Sequence, residues 1–135
     1  MTLAERDDTG PTGPNPEETA RWPIEAARAA DDKKGEGTVV LAVGAVLAIT
    51  EHFVITSGTN SRQVRTIADE VEKRLTELGG PKPIRIEGLD ELTWVLMDYG
   101  EFVVHVFDED ARRYYELERL WADVPSVDWS PVAAT

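Results

Sequence analysis

The stretch from Phe53 to Leu78, FVITSGTNSRQVRTIADEVEKRLTEL, decides the fold because it joins a strand to a helix through a tight turn. Its first five residues, FVITS, predict a strand. Asn60, with Gln63 three residues later, can form a capping box, so we take Asn60 as the N-cap of a helix over residues 61–78. The apolar face of that helix repeats at intervals of three and four, at Val64, Ile67, Ala68, Val71, Leu75 and Leu78.

Outside this unit, the sequence predicts further helices and strands on both sides. One helix over 22–34 precedes it, with Ile24, Ala27 and Ala30 on its apolar stripe. Asp108 caps another helix, which runs through Ala111 and Tyr115 and continues for a further turn or two at Leu117, Leu120 and Trp121.

Strands are predicted over 38–43, 53–57, 84–87, 93–98 and 101–107, and the last two are joined by a hairpin at Tyr99-Gly100. The run over 38–43 is apolar almost throughout, which is typical of a strand buried on both faces. The first two strands are neighbours in sequence and can pair locally. The order of elements predicts a single α/β (α+β) domain, a mixed β-sheet of about five strands with packed helices.

Length and composition divide the chain into three parts. The 135 residues leave room for one domain of ordinary size. Residues 1–16 hold three prolines and two glycines without apolar periodicity, so we expect a flexible N-terminal lead there. We place the domain over 17–125 and an irregular C-terminal tail over 126–135.

The charge balance narrows the class of partner. The chain has 26 acidic and 14 basic side chains, a formal net charge of −12. Because phosphate binding needs clustered lysine and arginine, we expect no direct nucleic-acid binding and favour a basic protein as partner. The longest apolar stretch, Val39 to Ile49, is about half the length of a membrane-spanning helix. We therefore expect a cytoplasmic protein that does not contact a membrane.

Residues for enzyme or metal chemistry are sparse. The chain has no cysteine and only two histidines, so no metal site or cofactor is expected. Nucleotidyl transfer would need two carboxylates spaced to share one strand face, and the strands offer only single acids, Glu87 and Asp98. His105 lies in the run VVHVF with Val104 and Val106 facing the opposite side, and we interpret it as a hydrogen-bonded structural residue.

The turn between the second strand and the long helix is a candidate anion site. Gly58, Thr59, Asn60 and Ser61 lie at a helix N-terminus, where free backbone N–H groups can hold phosphate. The turn lacks the lysine of a Walker loop and the spacing of a dinucleotide fingerprint. The alternative is a strand-to-helix turn whose donors are satisfied by its own cap, and the residues favour this second interpretation.

The strand Trp94-Val95-Leu96-Met97-Asp98 is the other candidate site. Trp94, Leu96 and Asp98 share one face, while Val95, Met97 and Tyr99 share the other. Aromatic and aliphatic residues beside a charge are typical of interaction hot spots. The pattern leaves two alternatives open: helices cover both faces, or one face docks a partner.

Three segments together resemble the ribosomal silencing factor family, also called Iojap-like. They are ITEHFVITSGTNSRQVRTIADEVEKRL at 49–75, IEGLDELTWVLMDYGEFVVHVF at 86–107 and RRYYELERLW at 112–121. The resemblance covers roughly residues 22–125. It implies a fold similar to that of nucleotidyltransferases without their catalytic carboxylates, and it implies a binding protein that is not an enzyme.

The resemblance also implies a partner and a mechanism. Members of the family bind the large ribosomal subunit through its protein fourteen, block joining of the small subunit and so reduce translation when nutrients are short. The family's Trp-Val-Leu-x-Asp strand and Tyr-Gly turn match the sequence from Trp94 to Gly100. Trp94, Leu96, Asp98 and Tyr99 are therefore the expected contact residues. A nucleotide-binding or nucleotidyl-transferring enzyme that uses the turn at residues 57–61 is the alternative function.

The chain departs from the family pattern at two places. Leu41-Ala42-Val43 stands where the family has Leu-Asp-Val, and Leu120-Trp121-Ala122-Asp123 stands where it has Leu-Trp-Gly-Asp. The first change puts in doubt any role that depends on the missing acid. The oligomeric state stays open, with a homodimer through an exposed sheet face or helix as one alternative.

Overall fold

A computed structural model describes residues 20–116, 119 and 122–130 of the chain. Its helices are α1 (Arg21–Asp32), α2 (Ser61–Glu77) and α3 (Glu109–Tyr115), and its strands are β1 (Glu36–Ala42), β2 (His52–Gly58), β3 (Arg85–Glu87), β4 (Trp94–Asp98) and β5 (Phe102–Asp108). The predicted order of elements is confirmed. The expected flexible lead and the further helical turn at Leu117, Leu120 and Trp121 lie outside the described residues.

The five strands form one mixed sheet in the order β1-β2-β5-β4-β3. The neighbours β2 and β5 are parallel, with Val54 opposite Val104, and the other pairs are antiparallel. The crossover through α2 leads from β2 to the β3–β4–β5 meander and lets β5 return beside β2. The predicted α+β class, mixed sheet and local pairing of the first two strands are confirmed.

Helices α1 and α2 pack on one face of the sheet and form the main core with it. The core side chains are supplied by alternate strand positions, among them Val40, Val54, Val95, Met97, Val104 and Val106. The predicted apolar face of α2 is buried from Val64 to Leu75. In α1 the buried positions include Ala26, Ala27, Ala29 and Ala30, whose small side chains allow close approach to α2. Ile24, which we expected on this stripe, is half-buried.

Strand β1 was predicted to be buried on both faces, but Thr38, Val39 and Ala42 are only half-buried, and the strand lies at the edge of the sheet. Its free side is partly covered by the segment that we expected to be a tail. The amide of Ala42 donates to the carbonyl of Pro125 over 2.8 Å, and the amide of Val127 donates to that of Val40 over 2.8 Å. The segment at residues 125–127 therefore pairs with the free side of β1.

Trp129 holds the same segment against the sheet. Its indole Nε1 donates to the carbonyl of Thr38 over 3.0 Å, and its own carbonyl accepts from Arg28 Nε at 3.0 Å. The ring packs against the main core. Residues 127–130 have no regular secondary structure, yet they are bound to both β1 and α1. No helix in the described ranges is long and apolar enough to cross a membrane.

Candidate functional site

The face of the sheet opposite α1 and α2 is only partly covered, and we call it the open face. Because side chains alternate along a strand, this face carries the residues that lie between the core positions. They are Phe53 and Ile55 of β2, Trp94, Leu96 and Asp98 of β4, and Val103, His105 and Phe107 of β5. Helix α3 and the loop after β1 bury Ile55 and Phe107 at one end. Leu96, Asp98 and Val103 are half-buried at the other end.

Trp94 lies at the junction of the covered and uncovered parts of the open face. Its ring stacks on Phe107 with centroids 5.0 Å apart and contacts Tyr115 of α3 at 4.9 Å. Its Nε1 donates to Nδ1 of His105 over 3.1 Å. The side chain is half-buried. Trp94 is thus held in one orientation while part of its ring faces outward.

Asp98, at the far end of β4, is anchored by its neighbours. One carboxylate oxygen accepts from the amide of Gly100 at 2.8 Å, and the other lies 3.5 Å from Arg85 Nε. The side chain is 24% exposed, which leaves it accessible at the rim of the open face. Leu96 lies between Trp94 and Asp98 on the same face, as the alternation predicted.

Tyr99 does not belong to this surface. It is 6% exposed, lies among the core residues on the helix side and stacks on Phe102 with centroids 4.6 Å apart. Burial raises the pKa of its hydroxyl well above the usual value. Tyr99 directly follows β4 and lies on the side of Val95 and Met97, so we correct the expected contact set by removing Tyr99.

His105 is buried on the open face and is 5% exposed. Burial disfavours the charged imidazolium and lowers its pKa to about 4. The neutral ring accepts from Trp94 at Nδ1, so Nε2 carries the proton. His105 is hydrogen-bonded, as predicted, through Nδ1, and its Nε2 has no partner among the described residues.

The turn at Gly58, Thr59, Asn60 and Ser61 binds its own side chains. Asn60 Oδ1 accepts from the amide of Gln63 at 2.8 Å, which confirms the predicted N-cap. Gln63 Oε1 in turn accepts from the amide and the hydroxyl of Thr59, at 2.7 and 2.9 Å. Two of the donors that an anion would need are thereby occupied. The residues support the cap interpretation of this turn.

Arg112 of α3 makes hydrogen bonds to β1 that no local sequence pattern predicts. Its guanidinium donates to the carbonyls of Glu36 and Gly37 over 3.0 and 2.6 Å. Asp108 caps the same helix by accepting from the amide of Ala111 at 2.8 Å, as predicted. These bonds hold α3 over the end of the sheet, where Tyr115 covers Trp94. No local pattern links residue 112 to residues so distant in sequence.

Arg112 also lines a cavity of about 490 Å³ with mostly charged walls, including Glu36, Glu109 and Arg113. A side-chain hydrogen bond with Glu36 raises the pKa of Glu109. Across the part of the chain that the structure describes, no three histidine, aspartate or glutamate side chains lie together as a metal site.

Comparisons with known proteins identify the family. Residues 16–135 match the family model described as ribosomal silencing factor during starvation. The chain is 42% identical over 103 residues to the ribosomal silencing factor RsfS of Bacillus subtilis, covering 76% of this chain and 86% of that protein. It is 33% identical over 84 residues to the mouse protein named mitochondrial assembly of ribosomal large subunit protein 1, covering 61% of this chain and 37% of that protein.

Solved structures are similar to this chain in fold and in sequence. A crystal structure from Bacillus halodurans has a TM-score of 0.66 and 41% sequence identity, and the match covers 77% of this chain and 93% of that one. The bacterial relatives are named as silencing factors and not as enzymes. The chain therefore belongs to the ribosomal silencing factor family, whose role is the silencing of translation at the ribosome.

Proposed function

We propose that this protein binds the large ribosomal subunit through its protein fourteen and sterically blocks joining of the small subunit. It would act in the cytoplasm, on the ribosome, and repress translation under nutrient limitation. The open face supplies the contact surface, with Trp94, Leu96 and Asp98 as its central residues. No catalytic step or cofactor is part of this mechanism.

The observation that carries the proposal is the incomplete cover of the open face. Leu96 and Val103 are apolar, lie diagonally across β4 and β5 on the same face, and are left half-buried by α3 and the loops. A sheet that is fully covered by helices on one face only leaves apolar residues of the other face available to a partner. Trp94 is fixed by His105 and Phe107, so little conformational entropy is lost when a partner covers it.

Charge and family support the same partner. The net charge of −12 favours a basic protein over bare RNA on the surface of the subunit. The mouse relative, which carries the large ribosomal subunit in its name, supports the choice of subunit. Protein fourteen as the contact rests on the resemblance of the Trp-Val-Leu-x-Asp strand to the family motif.

Sedimentation with separated ribosomal subunits tests the proposal. We expect the protein to travel with the large subunit alone and to reduce joining when small subunits are added. Trp94→Ala and Asp98→Lys should weaken this binding, whereas Glu72→Lys on the exposed side of α2 should not. Circular dichroism melts of each variant separate loss of binding from loss of fold. A wild-type protein that stays at the top of the gradient at low salt would refute the proposal.

The alternative function, nucleotide binding or nucleotidyl transfer at residues 57–61, has less support. Side chains already occupy the amides of Thr59 and Gln63. Calorimetry with ATP, GTP and Mg²⁺ tests it directly, and micromolar binding would favour it over the silencing mechanism.

A further inference from the structure

A groove of about 370 Å³ lies on the open face beside Leu96. Apolar side chains form most of its walls: Leu47, Ile49, Phe53, Ile84, Leu96 and Val103. Two of them are unusually exposed for isoleucines, with Ile49 at 85% and Ile84 at 70%. The groove therefore presents apolar surface that folding alone does not bury.

Two buried polar atoms in the lining residues have no hydrogen-bond partner within the described ranges. They are the hydroxyl of Thr50, a residue that is 6% exposed, and Nε2 of His105, a residue that is 5% exposed. Native proteins satisfy nearly all such groups, because leaving one unpaired costs stability. Since Trp94 donates to Nδ1 of His105, Nε2 is a donor and needs an acceptor. These two atoms indicate a ligand that brings a polar atom into an apolar site.

The rim of the groove carries an excess of carboxylates. Glu51 and Glu101, both exposed, directly follow the lining residues Thr50 and Gly100, and the amide of Glu51 donates to the carbonyl of Glu101 over 2.8 Å. Arg85, the cation in the lining, is balanced by Glu87 at 3.3 Å and Asp98 at 3.5 Å. The rim thus favours a positively charged partner over a phosphate backbone.

We propose that this groove receives an apolar side chain of a basic protein segment, with an oxygen of that segment accepting from His105 Nε2. The site rests on the proposed function and deepens it, because it extends the contact from β4 to Ile49 and Ile84 on the flanking loops. The occupant is a segment of a large-subunit ribosomal protein in which lysine or arginine flanks an aliphatic residue. The basic residues meet the acidic rim, and the aliphatic residue fills the groove.

Matched neutral substitutions test the groove. Ile49→Asn and Ile84→Asn remove apolar surface without changing the charge of the rim, and both positions are exposed enough to keep the fold. Leu78→Asn is the control, because Leu78 is also an exposed aliphatic residue, at 45%, but follows α2 away from the open face. Binding to purified large ribosomal subunits should weaken about tenfold or more in each groove variant and change less than about twofold in the control.

The comparison with Trp94→Ala separates this inference from the proposed function. If Trp94→Ala loses binding while both groove variants bind like the wild type, the groove inference is wrong and the docking face stands. If the wild-type protein itself does not bind large subunits, both are wrong.

Photocrosslinking identifies the occupant even if a groove variant folds poorly. With p-benzoylphenylalanine at position 84, illumination of the complex with large subunits should give a crosslink to a ribosomal protein. A crosslink to ribosomal RNA, or to a second copy of this chain, would overturn the proposal.

Discussion

The indole Nε1 of Trp94 donates a hydrogen bond to Nδ1 of His105 over 3.1 Å, across the neighbouring strands β4 and β5. The two residues are diagonal neighbours on the same face, two residues out of register, since Leu96 is the partner of His105. The bond fixes the indole on the open face and selects the tautomer of the imidazole whose proton is on Nε2. This hydrogen bond thereby fixes the orientation of Trp94, a proposed contact residue, and makes His105 Nε2 a hydrogen-bond donor.

Replacing Trp94 by phenylalanine should separate the hydrogen bond from the packing. The Trp94→Phe side chain can still stack on Phe107 and Tyr115, but His105 Nδ1 loses its donor in a buried position. We expect the free energy of unfolding to fall by about 1–2 kcal/mol, as measured by urea denaturation. The pKa of His105, followed by NMR, should rise because the neutral ring loses a stabilising bond. An unchanged pKa would show that the bond is not formed in solution.

The pH dependence of stability should report the burial of His105. Its pKa is about 4 in the folded protein, against 6.5 for an unperturbed histidine. Above pH 6.5 the His105 ring is neutral in both the folded and the unfolded protein, so its titration does not reduce stability there. As the pH falls from 6.5 towards 4, the unfolded chain binds a proton that the folded chain does not, so stability is lost.

The loss between pH 7.5 and 5.5 should be about 1 kcal/mol, measured by denaturant unfolding at each pH. His105→Asn should show a shallower dependence over the same range. His52, whose pKa is also lowered by burial, is the control: His52→Asn should retain the part of the slope that comes from His105. Equal slopes in the wild type and in His105→Asn would contradict the assignment.

Much of the fold follows from local patterns in the sequence. The period of the apolar residues predicted the C-terminal end of α2 to within one residue. The spacing of Asn60 and Gln63 identified its N-cap, because the cap is made by residues three apart in sequence. The edge position of β1 did not follow, since an apolar run has the same pattern whether a strand or an irregular segment covers its free side. The packing of Trp129 on β1 joins residues about ninety apart and has no local signal.

The candidate site was predictable only in part, for the same reason. Alternation along β4 placed Trp94, Leu96 and Asp98 on one face, and the structure brings them together as expected. Alternation does not show which face the helices cover, so it left burial and docking as alternatives. The groove combines Ile49, Ile84 and His105 from three separate segments, and only the tertiary arrangement brings them to one cavity.

Gly88 should be essential to the start of β4. It has φ +92, and a Cβ there would overlap the backbone carbonyl oxygen of Trp94. Gly88→Ala should destabilise the fold by about 3 kcal/mol or more, because it adds a backbone clash to the strain of a positive φ. Gly79→Ala is the matched control, since Gly79 has φ +79 but nothing within 4 Å of the added atom.

Gly79→Ala should lower the free energy of unfolding by only about 1–2 kcal/mol, measured by urea denaturation. Equal losses in the two variants would indicate that the close approach of Gly88 to Trp94 is relieved by a small backbone shift.

Trp129 should contribute to stability even though it lies beyond the predicted end of the domain. Trp129→Ala removes a half-buried ring and its bond to Thr38, with an expected loss of about 2–3 kcal/mol. Trp129→Phe keeps most of the packing and loses the bond alone, so about 1 kcal/mol is expected. Thermal melts of the two variants provide the measurement. A wild-type melting temperature for Trp129→Ala would support the predicted boundary at residue 125.

The salt dependence of binding should distinguish steering by protein charges from repulsion by RNA. Because its net charge is −12, the protein is attracted by a basic ribosomal protein and repelled by the surrounding RNA. If the acidic rim meets the basic protein, the attraction acts over distances near the Debye length of about 10 Å at 0.1 M salt. Between 50 and 500 mM salt, association with large subunits should therefore slow by about tenfold, while dissociation changes by less than about threefold.

Stopped-flow binding of labelled protein gives both rates, and Glu101→Gln should reduce the salt dependence because it removes a rim charge without changing the apolar groove. Faster association at high salt would mean that repulsion from RNA dominates the encounter. In that case the acidic rim would serve to exclude wrong partners, and the affinity would come from the apolar contacts of Trp94 and Leu96 alone.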